Sequence, residues 1–223
     1  MARQIKLDSS PVAVIGLGRF GKSLALELVE EGVEVLGIDG DHKVVQSLAG
    51  RLTHIVEADT TDEEAMKQLS VHEFDRAVIG IGTDLESSIL SASVLLKLGV
   101  PSIWAKAVSE SHARILTQIG VHHVVRPEHD MGKRVAHLVR GRMLDYIEFD
   151  DGFAIVKTRP PKSLFGLPLG ESRPRSRHGI TIVGVKRAGE DFTHATPDTV
   201  VEEGDLIIVS GPQQKVERFS ELA

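Results

Sequence analysis

Apolar residues alternate between two rhythms along the first two-thirds of the chain. Short unbroken runs such as Val12-Ala13-Val14-Ile15 read as strands buried on both faces. Between them, apolar positions fall at helical spacing, as with Phe20, Leu24 and Leu28. The pattern predicts strands over 12–15, 33–38, 54–56, 76–81, 101–105 and 123–125, each followed by a helix. Gly32, Gly99 and Gly120 stand where such helices end. Asp41 and Ser109 stand where two of them begin, and Thr61 with Glu64 has capping-box spacing for another. Six strands alternating with helices imply right-handed βαβ units in a parallel sheet. The expected fold is a doubly wound α/β Rossmann sheet, with its crevice at the carboxyl ends of the strands near the first.

After residue 127 the rhythm changes. One more helix is expected over 128–144, with Met131, Val135, Leu138 and Met143 on roughly one side. Short apolar segments follow at 147–149, 153–158, 180–185 and 206–209. They are separated by Pro160-Pro161, by the turn-like Arg187 to Glu190 and by Glu203-Gly204-Asp205. Gly211-Pro212 precedes a short terminal helix. The expected organisation is a Rossmann domain over 1–127, a linking helix over 128–146 and a small α+β domain over 147–223. The apolar side of the linking helix is a candidate dimer seam, unless it packs only on its own sheet.

Composition narrows the chemistry. Of 223 residues, 41% are apolar, enough for a real core, and none is cysteine. Thiolate catalysis, disulfides and cysteine-based zinc sites are thereby excluded, and a reducing compartment fits. The net charge of −6 argues against sequestration of nucleic acid. No secretory leader is expected at the start, and no apolar run approaches the roughly 18 residues of a membrane helix.

The strongest local signal is Gly16-Leu17-Gly18-Arg19-Phe20-Gly21, which follows the first strand and opens a helix. In a G-x-G-x-x-G turn the first glycine permits the tight bend and the second lets backbone approach a phosphate. The third brings helix against strand, and the helix start offers free N–H groups to an anion. Asp39 ends the second strand, where a carboxylate can accept bonds from ribose hydroxyls and repel a 2′-phosphate. Together these predict an adenine nucleotide, ATP/ADP or NAD(H). Arg19 can reach terminal phosphates from inside the turn. Phe20 lies beside it. Asp59, Thr83, Asp84 and Lys106 all follow strand ends and face the same crevice. Glu128 begins the linking helix, where it either complements the helix dipole or approaches phosphates through a divalent cation such as Mg2+. The ten histidines show no metal spacing. No nucleophile-elbow, zincin or P-loop lysine motif is present.

Several of these strings resemble one family. Ala13 to Gly21, Ile81 to Ser88, Ile103 to Ala107 and Arg126 to Gly132 resemble the RCK domain, which regulates potassium conductance. Arg175 to Val183 and Glu203 to Val209 resemble its small companion, RCK_C or TrkA_C. The chain is similar to the KtrA/TrkA type of cytosolic regulatory subunit. The resemblance implies a dimer-based octameric gating ring at the inner face of the cell membrane, beneath a potassium-transporting subunit of KtrB/TrkH type. It implies that ATP, ADP or NAD(H) binds the glycine turn, with Arg19 meeting terminal phosphates across the dimer, Asp39 on ribose and Lys106 along the crevice. It places Glu128 with a cation at the phosphates, and no catalysis. It also implies a c-di-AMP site between two RCK_C copies, with Arg175, Ile180, Ile182 and Pro197 at matching positions. Thr181 departs from the asparagine of some relatives. On the residues alone, Ile180 and Ile182 are ordinary core strand.

Two alternatives come from other classes. A NAD-dependent dehydrogenase would turn over cofactor with a small alcohol or hydroxy acid. A redox-sensing repressor would need a basic helix-turn-helix, which neither terminus carries.

Overall fold

The computed structural model describes residues 10–140 and 142–223. Its contacts divide the chain into two units, residues 1–128 and 129–223. In the first unit, β1 (Val12–Ile15), β2 (Val35–Asp39), β3 (His54–Glu57), β4 (Arg76–Ile79), β5 (Ser102–Lys106) and β6 (His123–Val125) form one sheet. Its order is β3-β2-β1-β4-β5-β6, and every pairing is parallel. This is the doubly wound topology, with the order reversing beside β1.

The connecting helices are α1 (Arg19–Glu30), α2 (His42–Leu48), α3 (Glu63–Gln68), α4 (Leu85–Lys97) and α5 (Glu110–Ile119). Their starts follow local chemistry. The carboxylate of Asp41 accepts the Lys43 N–H, that of Asp84 accepts the Ser87 N–H, and the Ser109 hydroxyl accepts the His112 N–H. For α3 the expected capping box is replaced. Asp62, not Thr61, stands at the N-cap and accepts the Glu64 and Ala65 N–H groups. Thr61 instead bonds Asp59. One face of the sheet buries Ala13, Ile15, Ile79 and Ile103 with Leu95 and Leu116. The other buries Val12, Val14 and Val35 with Ala25 and Leu48. β1 is buried at all four positions, as its unbroken apolar run requires.

α6 (Pro127–Arg140) is shorter than the helix expected over 128–144. Met143 opens β7 (Met143–Phe149), and Met143 and Tyr146 are buried in the second unit's core. Met143, counted in the last turn of that helix, is therefore a strand position. Leu138 packs against that core, while Met131, Val135 and Val139 remain exposed.

The second unit holds β7, β8 (Phe153–Thr158), β9 (Thr181–Lys186), β10 (Thr193–His194) and β11 (Leu206–Pro212) in the order β10-β9-β11-β8-β7, all antiparallel. α7 (Leu169–Ser172), α8 (Pro174–His178) and α9 (Gln213–Ser220) complete it. Val156, Ile182, Val209, Val216 and Phe219 lie in its core. No helix among the described residues is long and apolar enough to cross a membrane.

Candidate nucleotide-binding cleft

The carboxyl ends of β1, β2, β3, β4 and β5 surround a cleft of about 840 Å³. Of the sequence-predicted residues, Gly16, Gly18, Arg19, Phe20, Asp39, Asp59, Thr83, Asp84, Lys106 and Glu128 line it. Gly21 lies behind the wall.

The three glycines have separate duties. Gly16 adopts φ +80°, and a Cβ there would come 2.6 Å from the Ile81 side chain. A Cβ on Gly21 would stand 2.0 Å from the Gly16 carbonyl oxygen, a backbone atom with nowhere to go. Gly18 differs, because a Cβ there would meet nothing within 4 Å. It borders the open cleft. Gly18 is also the N-cap of α1 and supplies no side-chain cap, so no N-cap side chain takes up the helix's first N–H groups. Open space and uncapped donors fit a phosphate.

Asp39 does more than face the cleft. Its Oδ2 accepts the Leu17 N–H at 2.6 Å, inside the glycine turn, and its Oδ1 accepts the Asp41 N–H at 2.8 Å. Each oxygen retains a second acceptor position for a ribose hydroxyl. The same carboxylate thus ties the turn to the tip of β2.

Asp59 and Asp84 line the cleft but are engaged locally. Asp59 accepts the Thr61 hydroxyl and N–H, at 2.7 and 2.9 Å, and these bonds hold its pKa below the ordinary value. Asp84 accepts the Ser87 hydroxyl at 2.7 Å and its N–H at 3.1 Å, with the same effect. Lys106 ends β5 with its side chain largely enclosed, and its Nζ lies 5.8 Å from the centre of the Phe20 ring. It donates to Glu128 Oε1 at 2.5 Å. That bond first, then the helix's own N–H and the nearby charge of Arg19, lowers the Glu128 pKa.

Sequence reasoning missed several lining residues, Glu57 and Gly80 among them. Glu57, at the tip of β3, lines the cleft and pairs with His42 at 2.6 Å. It stands beside Asp39 in the parallel register, so the strand-end rule that found Asp39 applied equally to it. Gly80 was also missed, and a Cβ there would lie 2.6 Å from the Gly16 carbonyl oxygen. It lets β4 run close under the turn.

No group of three or more His, Asp or Glu residues among the described residues can hold a metal ion. A cation at Glu128 would need further ligands from phosphate, water or a second chain.

In the second unit, a groove of about 520 Å³ brings together Arg175, Ile180, Thr181, Ile182 and Pro197. Arg175 donates through Nε and Nη2 to the Thr181 hydroxyl, at 3.2 and 3.1 Å. Ile180 and Ile182 are buried and belong to the core as well as to the groove wall.

Fold and cleft together define a Rossmann-type domain followed by a small antiparallel domain. This is the pairing of the TrkA-N domain, which matches residues 12–127, with the TrkA-C domain, which matches residues 153–223. The chain belongs to this family of potassium-uptake proteins, whose fold is that of RCK domains. It is 39% identical over 208 residues to Ktr system potassium uptake protein C of Bacillus subtilis, covering 93% of this chain and 94% of that protein. It is 36% identical over 213 residues to Ktr system potassium uptake protein A of Vibrio alginolyticus, covering 95% and 97%. Among solved structures, the GsuK RCK domain superposes with a TM-score of 0.66 at 18% identity, over 96% of this chain. The GsuK channel bound to NAD superposes with a TM-score of 0.64 at 18% identity, over 97%. The chain spans 48% and 39% of those two structures' own chains.

Proposed function

We propose that this protein is a nucleotide-responsive regulatory subunit of a membrane potassium transporter, and not an enzyme. The observation that carries the proposal is the open, uncapped start of α1 at Gly18, tied by Asp39 to the neighbouring strand. Such a cradle binds the sugar-phosphate of an adenine nucleotide through backbone N–H groups. Gly16, Gly18 and Gly21 shape the cradle, and Phe20, Asp59, Thr83 and Asp84 line it. Asp39 receives ribose, and Lys106 and Arg19 face the phosphates. ATP carries one more charged phosphate than ADP, and Arg19 is placed to read that difference. NAD(H) is the second ligand reading, favoured by the NAD-bound GsuK channel of the same fold. A divalent cation between Glu128 and phosphate would relieve their mutual repulsion.

A ligand shifts a conformational equilibrium only by binding the two states unequally. In this proposal the bistable element is a ring of subunits, an octamer built from dimers, at the cytoplasmic face of the membrane. Its partner is a transporting subunit of KtrB/TrkH type. The exposed Met131, Val135 and Val139 supply an apolar dimer seam on α6, the linking helix between a nucleotide domain and a ligand-sensing C-terminal domain. The groove at Arg175, Ile180, Thr181, Ile182 and Pro197 is a second site, for c-di-AMP.

The test is potassium flux through a KtrB-type protein reconstituted in vesicles with this chain. Flux that rises with ATP relative to ADP, and loses that difference in Arg19→Ala, supports the proposal. Flux indifferent to both nucleotides and to NADH overturns it. Oxidation or reduction of NAD(H) by the purified chain with a small alcohol would favour a dehydrogenase instead.

A further inference from the structure

His112, in the first turn of α5, does not line the cleft. It is 2% exposed. Its backbone N–H donates to the Ser109 hydroxyl at 3.1 Å, and its ring Nδ1 accepts the Val108 N–H at 3.4 Å. Accepting through Nδ1 puts the ring proton on Nε2, which has no partner among the described residues. The bond to Val108 is thus the ring's single polar tie there.

Val108 does line the cleft. It lies two residues past Lys106, the end of β5, and packs close to the loop after β4. A Cβ on Gly82 in that loop would come 3.3 Å from Val108 Cγ1 and 3.4 Å from Lys106 Nζ. From outside the cleft, His112 therefore fixes the backbone of a wall residue that crowds Gly82 beside the Lys106 ammonium.

A protonated imidazole has two N–H donors and no acceptor. Protonation of His112 would set a donor against the Val108 N–H and leave a charge buried without a counter-ion. None of the ionisable groups on the surrounding elements pairs with the ring. Glu110 lies near Arg126, Asp84 accepts from Ser87, Lys106 donates to Glu128, and His123 stacks on Trp104. Glu86 and Arg114 are exposed. Burial lowers the pKa of His112, so the neutral, accepting ring is the form present at neutral pH.

We propose that His112 is a positioning residue for the nucleotide cleft. Its neutral ring holds the β5–α5 connection in the shape that binds ligand, and protonation releases it. The cleft then loses affinity in acid and is constant above neutrality. The inference rests on the nucleotide reading of the cleft.

The experiment is calorimetric titration of ADP into the full chain from about pH 7.5 to about pH 5, in wild type, His112→Asn and His112→Phe. Asparagine can offer its carbonyl oxygen where Nδ1 stands, but it does not titrate. ADP itself gains a phosphate proton near about pH 6, and that effect is common to all three proteins. Wild type is expected to lose about three- to tenfold more affinity than His112→Asn as pH falls. His112→Phe is expected to bind about three- to tenfold more weakly than wild type at the upper pH. A histidine that only fills the core would not separate the wild-type and asparagine profiles. Parallel profiles for those two overturn the proposal and leave the nucleotide reading standing. Equal affinity of His112→Phe and wild type at the upper pH does the same. Wild type alone supplies a check that needs no variant. Exchange of the Val108 amide proton, relative to its intrinsic rate, should quicken severalfold in acid, and unchanged protection overturns the proposal. If wild type binds no ADP at any pH, the nucleotide reading falls and the positioning role falls with it.

Discussion

In the proposed function the cleft at Gly16–Gly21 and the groove beside Arg175 each receive an anionic ligand, but by different means. The first is built from backbone. Its donors are the uncapped N–H groups of a 12-residue helix, and its shape comes from glycines whose missing Cβ atoms make room. The second is built from side chains. Arg175 sits on the short α8 and is steadied by the Thr181 hydroxyl. Backbone donors are fixed by the fold and arrive with the right orientation. A side-chain donor must be held there by its neighbours. The first site should therefore fail through steric damage, and the second through loss of single polar groups.

The largest contrast lies within the glycine turn. Gly21→Ala would force a Cβ to 2.0 Å from the Gly16 carbonyl oxygen, so the turn must shift. A loss of about 2 kcal/mol or more in unfolding free energy is expected, together with loss of nucleotide binding. Gly18→Ala meets no atom and should change stability by about 0.5 kcal/mol at most. It should still weaken nucleotide binding, because its methyl faces the ligand's space. Denaturant unfolding and calorimetry on both variants separate packing from ligand approach. Equal stabilities would break the distinction.

Asp39→Ala comes next. It removes the brace on the Leu17 N–H as well as a ribose acceptor. A charged hydrogen bond is typically worth about 1.5–3 kcal/mol, so ADP affinity should fall roughly tenfold or more. Pyrophosphate, which has no ribose, should also bind less well. Unchanged pyrophosphate binding would mean that the brace does not shape the phosphate cradle.

For the second groove, Arg175→Ala is expected to abolish c-di-AMP binding, and Thr181→Val to weaken it by several-fold without removing charge. Equal affinity of Thr181→Val and wild type would show that Arg175 needs no steadying.

The smallest effects concern pH, and they run in opposite directions in the two units. His112 is 2% exposed and accepts the Val108 N–H through Nδ1. Burial lowers its pKa, so the folded state resists a proton that the unfolded chain takes up near the ordinary value of about 6.5. Its contribution is full above that pH and declines as pH falls toward the lower folded value. Tyr146 is buried in the second unit, and burial, followed by the charges of Glu148 and Glu217, pushes its pKa up to about 12. The unfolded chain releases that proton near pH 10. Stability from Tyr146 is therefore present below about pH 10 and declines as pH rises toward 12. Thermal unfolding against pH should show a shallower slope below about pH 6.5 in His112→Leu and a shallower slope above about pH 10 in Tyr146→Phe.

The same division decides what the sequence could reveal. The Rossmann sheet was legible because β1 and β2 are near-continuous apolar runs and the helices between them carry their own stop and start residues. Most of the cleft followed, since strand ends in this topology face one crevice. Other features were not legible. The bond from Asp39 to the Leu17 N–H joins residues 22 positions apart and depends on the pairing of β1 with β2. The Lys106–Glu128 pair likewise spans 22 positions. α7 and α8 are only four and five residues long, with Arg173 and Gly179 in the left-handed region at their ends. Such elements show no periodicity. The groove they help form entered only through resemblance, while Met143 changed from a helix position to a strand position.

The measurement that tests the backbone cradle most directly is a crystal structure of the chain grown with ADP. The account predicts the diphosphate over Gly18, accepting N–H groups from the first turn of α1, with the ribose hydroxyls on Asp39. ADP bound elsewhere, or a diphosphate held only by side chains away from that turn, would contradict it.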